Sequence, residues 1–245
     1  AREVLGPDEL LPLLAQTASE DGSGIVSLVM GQLRLRKGEL RAGIRELEAL
    51  QRELPEDSPI RGQLLTTLGT AYSQLGENKR AEQTYRAALQ AMPDDPVVLN
   101  NLAYAMAAAG SDPYEAVKLA RRAVDSGGHS EDAMAYYLDT LGFAQYKADL
   151  LFHARENLQR SVNLGAMPAN TYHLGLVLLA ENRPLEAKEM LLQASRLAEE
   201  VGDTEYSGGI KEALVKAEEQ AARMPQTPED GGDDDQGAPP EPEDQ

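Results

Sequence analysis

The 245 residues include no cysteine and no tryptophan, and aromatics make up 4%, which excludes disulfides, thiol nucleophiles and zinc–thiolate sites and leaves few strand signals. The formal net charge is −18 with no basic stripe, a surface that repels phosphates and argues against nucleic acid as a partner. No segment approaches the roughly 18 consecutive apolar residues of a membrane span. The chain begins at Ala1 rather than Met, so an upstream signal, anchor or domain stays open, and with it a cytoplasmic or a periplasmic location.

In chain order, residues 1–23 read as an N-terminal helix or the remnant of a preceding repeat. Leu10, Leu11, Leu13 and Leu14 cluster there, interrupted by Pro12 and closed by Gly22-Ser23-Gly24. Beyond it a pattern recurs. Five small residues act as anchors, Gly31, Gly69, Ala103, Gly142 and Gly175, each preceded by an apolar residue. Twelve residues on stand Gly43, Ala81, Ala154 and Ala187, and sixteen on stand Leu47, Tyr85, Leu158 and Leu191. The third copy offers Ala116 and Ala120 one place late, as expected of one extra residue in the Gly110-Ser111-Asp112-Pro113 turn.

Such recurrence marks a stacked helical solenoid. Leu65, Leu68, Gly69 and Tyr72 form one face of a first helix, while Ala81, Tyr85 and Ala88 form the face of a second. Small anchors let two helix backbones approach closely. The expected repeats are about 24–57, 62–95, 96–129, 135–167 and 168–200. Uneven anchor spacing places surplus residues in two connections, Pro55 to Pro59 and Ser126 to Ser130.

These residues resemble the tetratricopeptide repeat family, whose short pattern runs leucine-glycine, tyrosine, alanine, an aromatic, alanine and proline. The second repeat matches best through Leu68-Gly69, Tyr72, Ala81, Tyr85, Ala88 and Pro93. The first departs with Arg34 and Gly43, and the fourth with Gln145 at the aromatic offset. The resemblance implies an all-α, right-handed superhelix of tandem helix pairs. After it, residues 204–224 read as a capping helix with Ile210, Leu214, Ala217 and Ala221 on one face. Residues 225–245 hold eight acidic residues, five prolines and no basic residue, the composition of a disordered acidic tail.

In that family the first helices line a concave groove, and function is expected there. Projected from the anchors, the groove stripe comprises Thr67 and Thr70 in the second repeat, and Asn100, Asn101 and Tyr104 in the third. Asp139, Thr140, Phe143, Tyr146 and Lys147 follow in the fourth, with Tyr172 and His173 in the fifth. Amides would pair with the free N–H and C=O groups of an extended segment, and aromatics would add contact area at low rotamer cost. Each also has a packing explanation, Tyr146 and Tyr172 above all. Some family members grip a C-terminal carboxylate with a clamp of Lys, Asn and Arg. Here Thr67, Thr70 and Ser73 stand where basic residues would be wanted.

His129, His153 and His173 have no metal-ligand spacing, and no nucleophile elbow, phosphate loop or dinucleotide fingerprint appears. The expectation is therefore a non-catalytic scaffold without cofactor or metal, binding an extended or helical segment of another protein. Two alternatives stay open: a self-associating or structural domain of a larger protein, and a regulatory subunit of an enzyme complex.

Overall fold

The computed structural model describes residues 6–18, 24–127 and 130–224. Among these residues it contains twelve α-helices and no strand. A short helix, α1 (Pro7–Ala18), precedes five pairs: α2 (Ile25–Arg36) with α3 (Leu40–Glu53), α4 (Arg61–Gln74) with α5 (Asn78–Ala91), and α6 (Pro96–Ala109) with α7 (Pro113–Asp125). They continue with α8 (Glu131–Lys147) and α9 (Leu151–Leu164), then α10 (Pro168–Ala180) and α11 (Pro184–Val201). The last element is α12 (Ser207–Ala222). The expected tail, 225–245, lies outside the described residues, as do Gly22, Ser23 and His129.

Local chemistry explains the boundaries. Asp95 caps α6 by accepting from the N–H groups of Val97 and Val98, and Asp112 caps α7 through those of Tyr114 and Glu115. In both, proline occupies the first helical position, where no N–H is needed. Within every pair the turn passes through a left-handed residue seven places after the anchor. Gly38, Gly76 and Gly110 supply it first, then Asp149 (φ 59°) and Asn182 (φ 58°). Asp and Asn are the non-glycine types that best tolerate this conformation.

The anchors show why the pairs close so tightly. A Cβ built on Gly69 would lie 2.6 Å from Tyr85, on Gly142 2.5 Å from Leu158, and on Gly175 2.7 Å from Leu191, and one on Gly31 would overlap Leu47. The residue sixteen places on therefore fills the space that the missing side chain leaves. In the third pair both partners are small, with Ala103 and Ala120 fully buried in one cluster.

Each first helix touches the next first helix, whereas each second helix meets its own partner and the first helix that follows. The first helices are thus crowded along one wall and the second helices spread outside it. The result is a right-handed superhelix with a concave inner face made by α2, α4, α6, α8 and α10. Polar clamps join successive pairs on the outside. Tyr72 donates to Glu48 at 2.7 Å while Arg80 donates to both and lies 4.1 Å over the Tyr72 ring. Burial, then Glu48, pushes the Tyr72 phenol up to about 12.

The two surplus segments are handled differently. The first forms the connection 54–60 between α3 and α4. The second mostly extends a helix: α8 begins at Glu131, one turn before the expected start at 135, because Ser130 accepts from the N–H of Ala133 and acidic residues fill the first turn. At the C-terminal end, α12 buries Ile210, Ala213 and Ala217 against the last pair, with Leu214 and Ala221 at the edges of that face.

Gly142→Ala tests the anchor rule. Alanine gains about 1 kcal/mol of helix propensity, but overpacking against fully buried Leu158 costs about 1–3 kcal/mol, so urea denaturation should show net destabilisation. In a Leu158→Ala background the same change should become neutral or stabilising. Equal loss in both backgrounds would refute the steric account.

Candidate functional site

The inner wall has two halves of different character. From α2 to α6 it is open. Gln32, Thr66, Thr67, Thr70, Gln74 and Asn101 face a cavity of about 380 Å³, which adjoins another of about 440 Å³ lined by Val29, Gln32 and Thr67. Helix geometry sets what these residues present. Thr66, Thr67 and Thr70 each donate their hydroxyl to the carbonyl four residues back, at 2.9 to 3.0 Å. Their donors are committed, Thr67 Oγ1 also accepts from Gln32 Nε2 at 3.3 Å, and Thr70 Oγ1 lies 3.0 Å from the Tyr85 hydroxyl, so the wall keeps a share of its acceptor capacity beside the amides of Gln74 and Asn101.

From α6 to α10 the wall is covered by the chain's own C-terminal region. The turn between α11 and α12 brings Tyr206 to the groove, where its hydroxyl meets that of Tyr104 at 3.1 Å. Beneath it the rings form a packed set. Phe143 stacks on His173 with centroids 4.3 Å apart, Tyr104 lies 5.5 Å from Phe143, and Tyr206 sits edge-on to His173 at 5.9 Å. His173 Nδ1 lies 2.8 Å from Asp139 Oδ1, and both residues are buried. Gly209, in the first turn of α12, permits this approach, because a side chain there would overlap the Tyr172 hydroxyl. Burial pushes the Tyr104 phenol up to about 12, and burial, then neighbouring Tyr104, raises Tyr206 further.

A family model described as tetratricopeptide repeat matches residues 62–95. Solved structures agree in fold. The Cut9–Hcn1 hetero-tetramer of the APC/C aligns with 86% of this chain at TM-score 0.68 and 18% identity, and this chain spans 39% of that one. A thermophilic tetratricopeptide protein of Thermus thermophilus aligns over 77% of this chain and 97% of its own, at TM-score 0.60 and 18% identity. YrrB, described as having an unusual peptide-binding site, aligns over 85% of this chain and 97% of its own, at 0.57 and 15%. The fold is that of a tetratricopeptide-repeat solenoid, and residues 62–95 match the family model. No curated protein matches the chain in sequence.

Within this fold the expected groove residues separate into four groups. Thr67, Thr70 and Asn101 face the open half, with Asn100 and Tyr104 at its far edge. Asp139, Thr140, Phe143 and His173 are buried at 8% exposure or less and form the floor beneath Tyr206. Their side chains support the wall more than they present to solvent, because adjacent first helices and the α12 turn close over them. Tyr146 and Tyr172 are half-buried by packing, Tyr146 bridging the two main core clusters. Lys147 is exposed, 5.2 Å over the Phe143 ring.

Buried polar groups of α8, α9 and α10 find physical partners within the wall, one of them at a departure from the family pattern. Gln145, at the aromatic offset, accepts from buried Asn157 at 2.9 Å. Asn170 links α9 to α10, donating to Ser161 Oγ and the Gly165 carbonyl while accepting from the Met167 N–H. The sequence reading also missed Gln32, Glu205 and Tyr206. Gln32 follows from applying the same offset to Gly31. Nothing local marks Tyr206, which pairs with a residue more than one hundred positions away.

Phe143→Ala should destabilise the array by about 3 kcal/mol, and Asn101→Ala by less than about 1 kcal/mol, measured by urea denaturation. Alkaline titration gives a second check. Tyr104 and Tyr72 are raised from a reference near 10 to about 12, so the unfolded chain ionises first. Their contribution is complete below about pH 10 and lost as pH rises through about 12. Melting temperature should fall across that window, less steeply in Tyr104→Phe.

Proposed function

We propose that this array is a non-catalytic interaction scaffold whose inner groove captures an extended segment of another protein. The observation that carries this reading is the open wall from α2 to α6, where threonines and amides stand among Leu35, Arg36 and Val97. An extended segment has an unpaired N–H and C=O at each residue. The threonine oxygens accept from such N–H groups, and the amides of Gln32, Gln74 and Asn101 both donate and accept. Supporting it, YrrB combines the same fold with a peptide-binding site.

The groove in this reading is anchored further toward α2 than the sequence stripe suggests. Tyr206 and Glu205 stand at its C-terminal end, so a captured segment runs along α2, α4 and α6 and meets the turn before α12. The scaffold contributes positioning, with binding energy spread over several polar contacts and no bond-breaking step.

A photo-cross-linking amino acid placed at Gln63 or Gln74, both exposed on the inner side, should trap a defined partner in native cell extract. The same group at Glu156 on the exposed face of α9 should not. Trapping from Glu156 alone would move the site to the outer surface and overturn the reading.

A further inference from the structure

One stretch of the inner wall differs in chemistry from the rest. Between α4, α6, α8 and the turn before α12 lies a cavity of about 220 Å³. Asp139 and Glu205 line it, Tyr104 and Tyr206 flank it, and no lysine or arginine among the described residues contributes to its lining. Asp139 is buried, while Glu205 stands at the exposed rim.

The wall also holds an unanswered acceptor. Asn100 is 9% exposed, its Nδ2 donates to Asn101 Oδ1 at 3.3 Å, and its own Oδ1 has no hydrogen-bond partner. A buried carbonyl left without a donor has lost its bond to water and gained none in return. The hydroxyls around it are turned to other partners: that of Thr70 is bonded to the Thr66 carbonyl and lies 3.0 Å from the Tyr85 hydroxyl, and those of Tyr104 and Tyr206 meet each other. The cavity therefore offers an unpaired buried acceptor and two carboxylates, walled by aromatic rings and bordered by the amides of Gln74 and Asn101, and no lysine or arginine among the described residues lines it.

We propose that this cavity receives the positively charged head of a lysine or arginine side chain carried by the captured segment. The inference rests on the groove reading above and names what that groove selects. An ammonium or guanidinium group supplies several donors and no acceptor: a donor is what Asn100 Oδ1 lacks, and the positive charge complements Glu205 and Asp139, whose Oδ1 already pairs with His173 Nδ1 at 2.8 Å. The rings of Tyr104 and Tyr206 add cation–π attraction. A carboxylate in the same place would face two like charges and an unpaired carbonyl. Burial, then neighbouring Asp203, raises the Glu205 carboxyl above its ordinary range, with His173 acting in the opposite sense. An incoming cation relieves that crowding of like charge.

The test titrates isotope-labelled protein with N-acetyl-arginine methylamide and N-acetyl-lysine methylamide, each followed by the side-chain amide signals of Asn100 and Asn101. N-acetyl-citrulline methylamide serves as the neutral isostere. The two cations should shift the Asn100 signals saturably, with citrulline binding about tenfold more weakly. Glu205→Gln, a rim substitution, should weaken the cations about tenfold and leave citrulline unchanged. Asp139→Asn, with folding checked by circular dichroism, should do the same from the cavity floor. Equal binding of citrulline, unmoved Asn100 signals, or an unchanged response in Glu205→Gln would overturn the proposal. If inner-face cross-links persist while the cations fail to bind, this inference alone falls. If the cations bind but the inner face traps no partner, the cavity is a site for free small cations and the captured-segment reading falls instead.

Discussion

The whole architecture depends on one steric exchange: in four of the five pairs a side chain is removed from the first helix and a bulky one inserted from the second. Leu47, Tyr85, Leu158 and Leu191 occupy the volume that a Cβ on the facing glycine would need. This brings the two backbones close and sets the orientation within each pair. Repeating that contact makes the first helices line up against one another on one side, and curvature follows from their crowding. The groove is therefore a geometric product of the anchors, formed before any residue on its surface is chosen.

Variation is absorbed where it does not disturb that contact. The third pair replaces glycine and a large residue by alanine on both sides. The left-handed turn passes from glycine to Asp149 and Asn182, which hold the same backbone conformation with a side chain present. Extra residues enter as a longer connection before α4 or as an added turn at the start of α8, both outside the anchor contacts. Where the usual aromatic is missing, the Gln145–Asn157 hydrogen bond satisfies the buried polar group that replaces it.

The inner face is divided by the chain itself. Its C-terminal half is closed by Tyr206 against His173, Tyr172 and Tyr104, and its N-terminal half stays open, with threonines and amides among Leu35, Arg36 and Val97. That division gives the groove a direction: an open polar track leading to an acidic, aromatic-walled end. In the proposed reading, affinity comes from many modest contacts along the track, and selectivity comes from its end, where an unpaired buried group penalises the wrong side chain.

The sequence by itself determined the fold class, the helix-pair repeat and the close contact at each anchor, because these depend on residues within about 34 positions of one another and repeat in register. It also placed Thr67, Thr70 and Asn101 on the inner stripe, since an offset along a helix fixes direction. Exposure was decided only by the tertiary structure. Phe143, Asp139 and His173 share the same stripe as Thr67, yet they are buried because α12 folds back and Tyr206 reaches Tyr104 across more than one hundred residues. Periodicity reports which way a side chain points, and it carries no information about what a distant segment later lays over it.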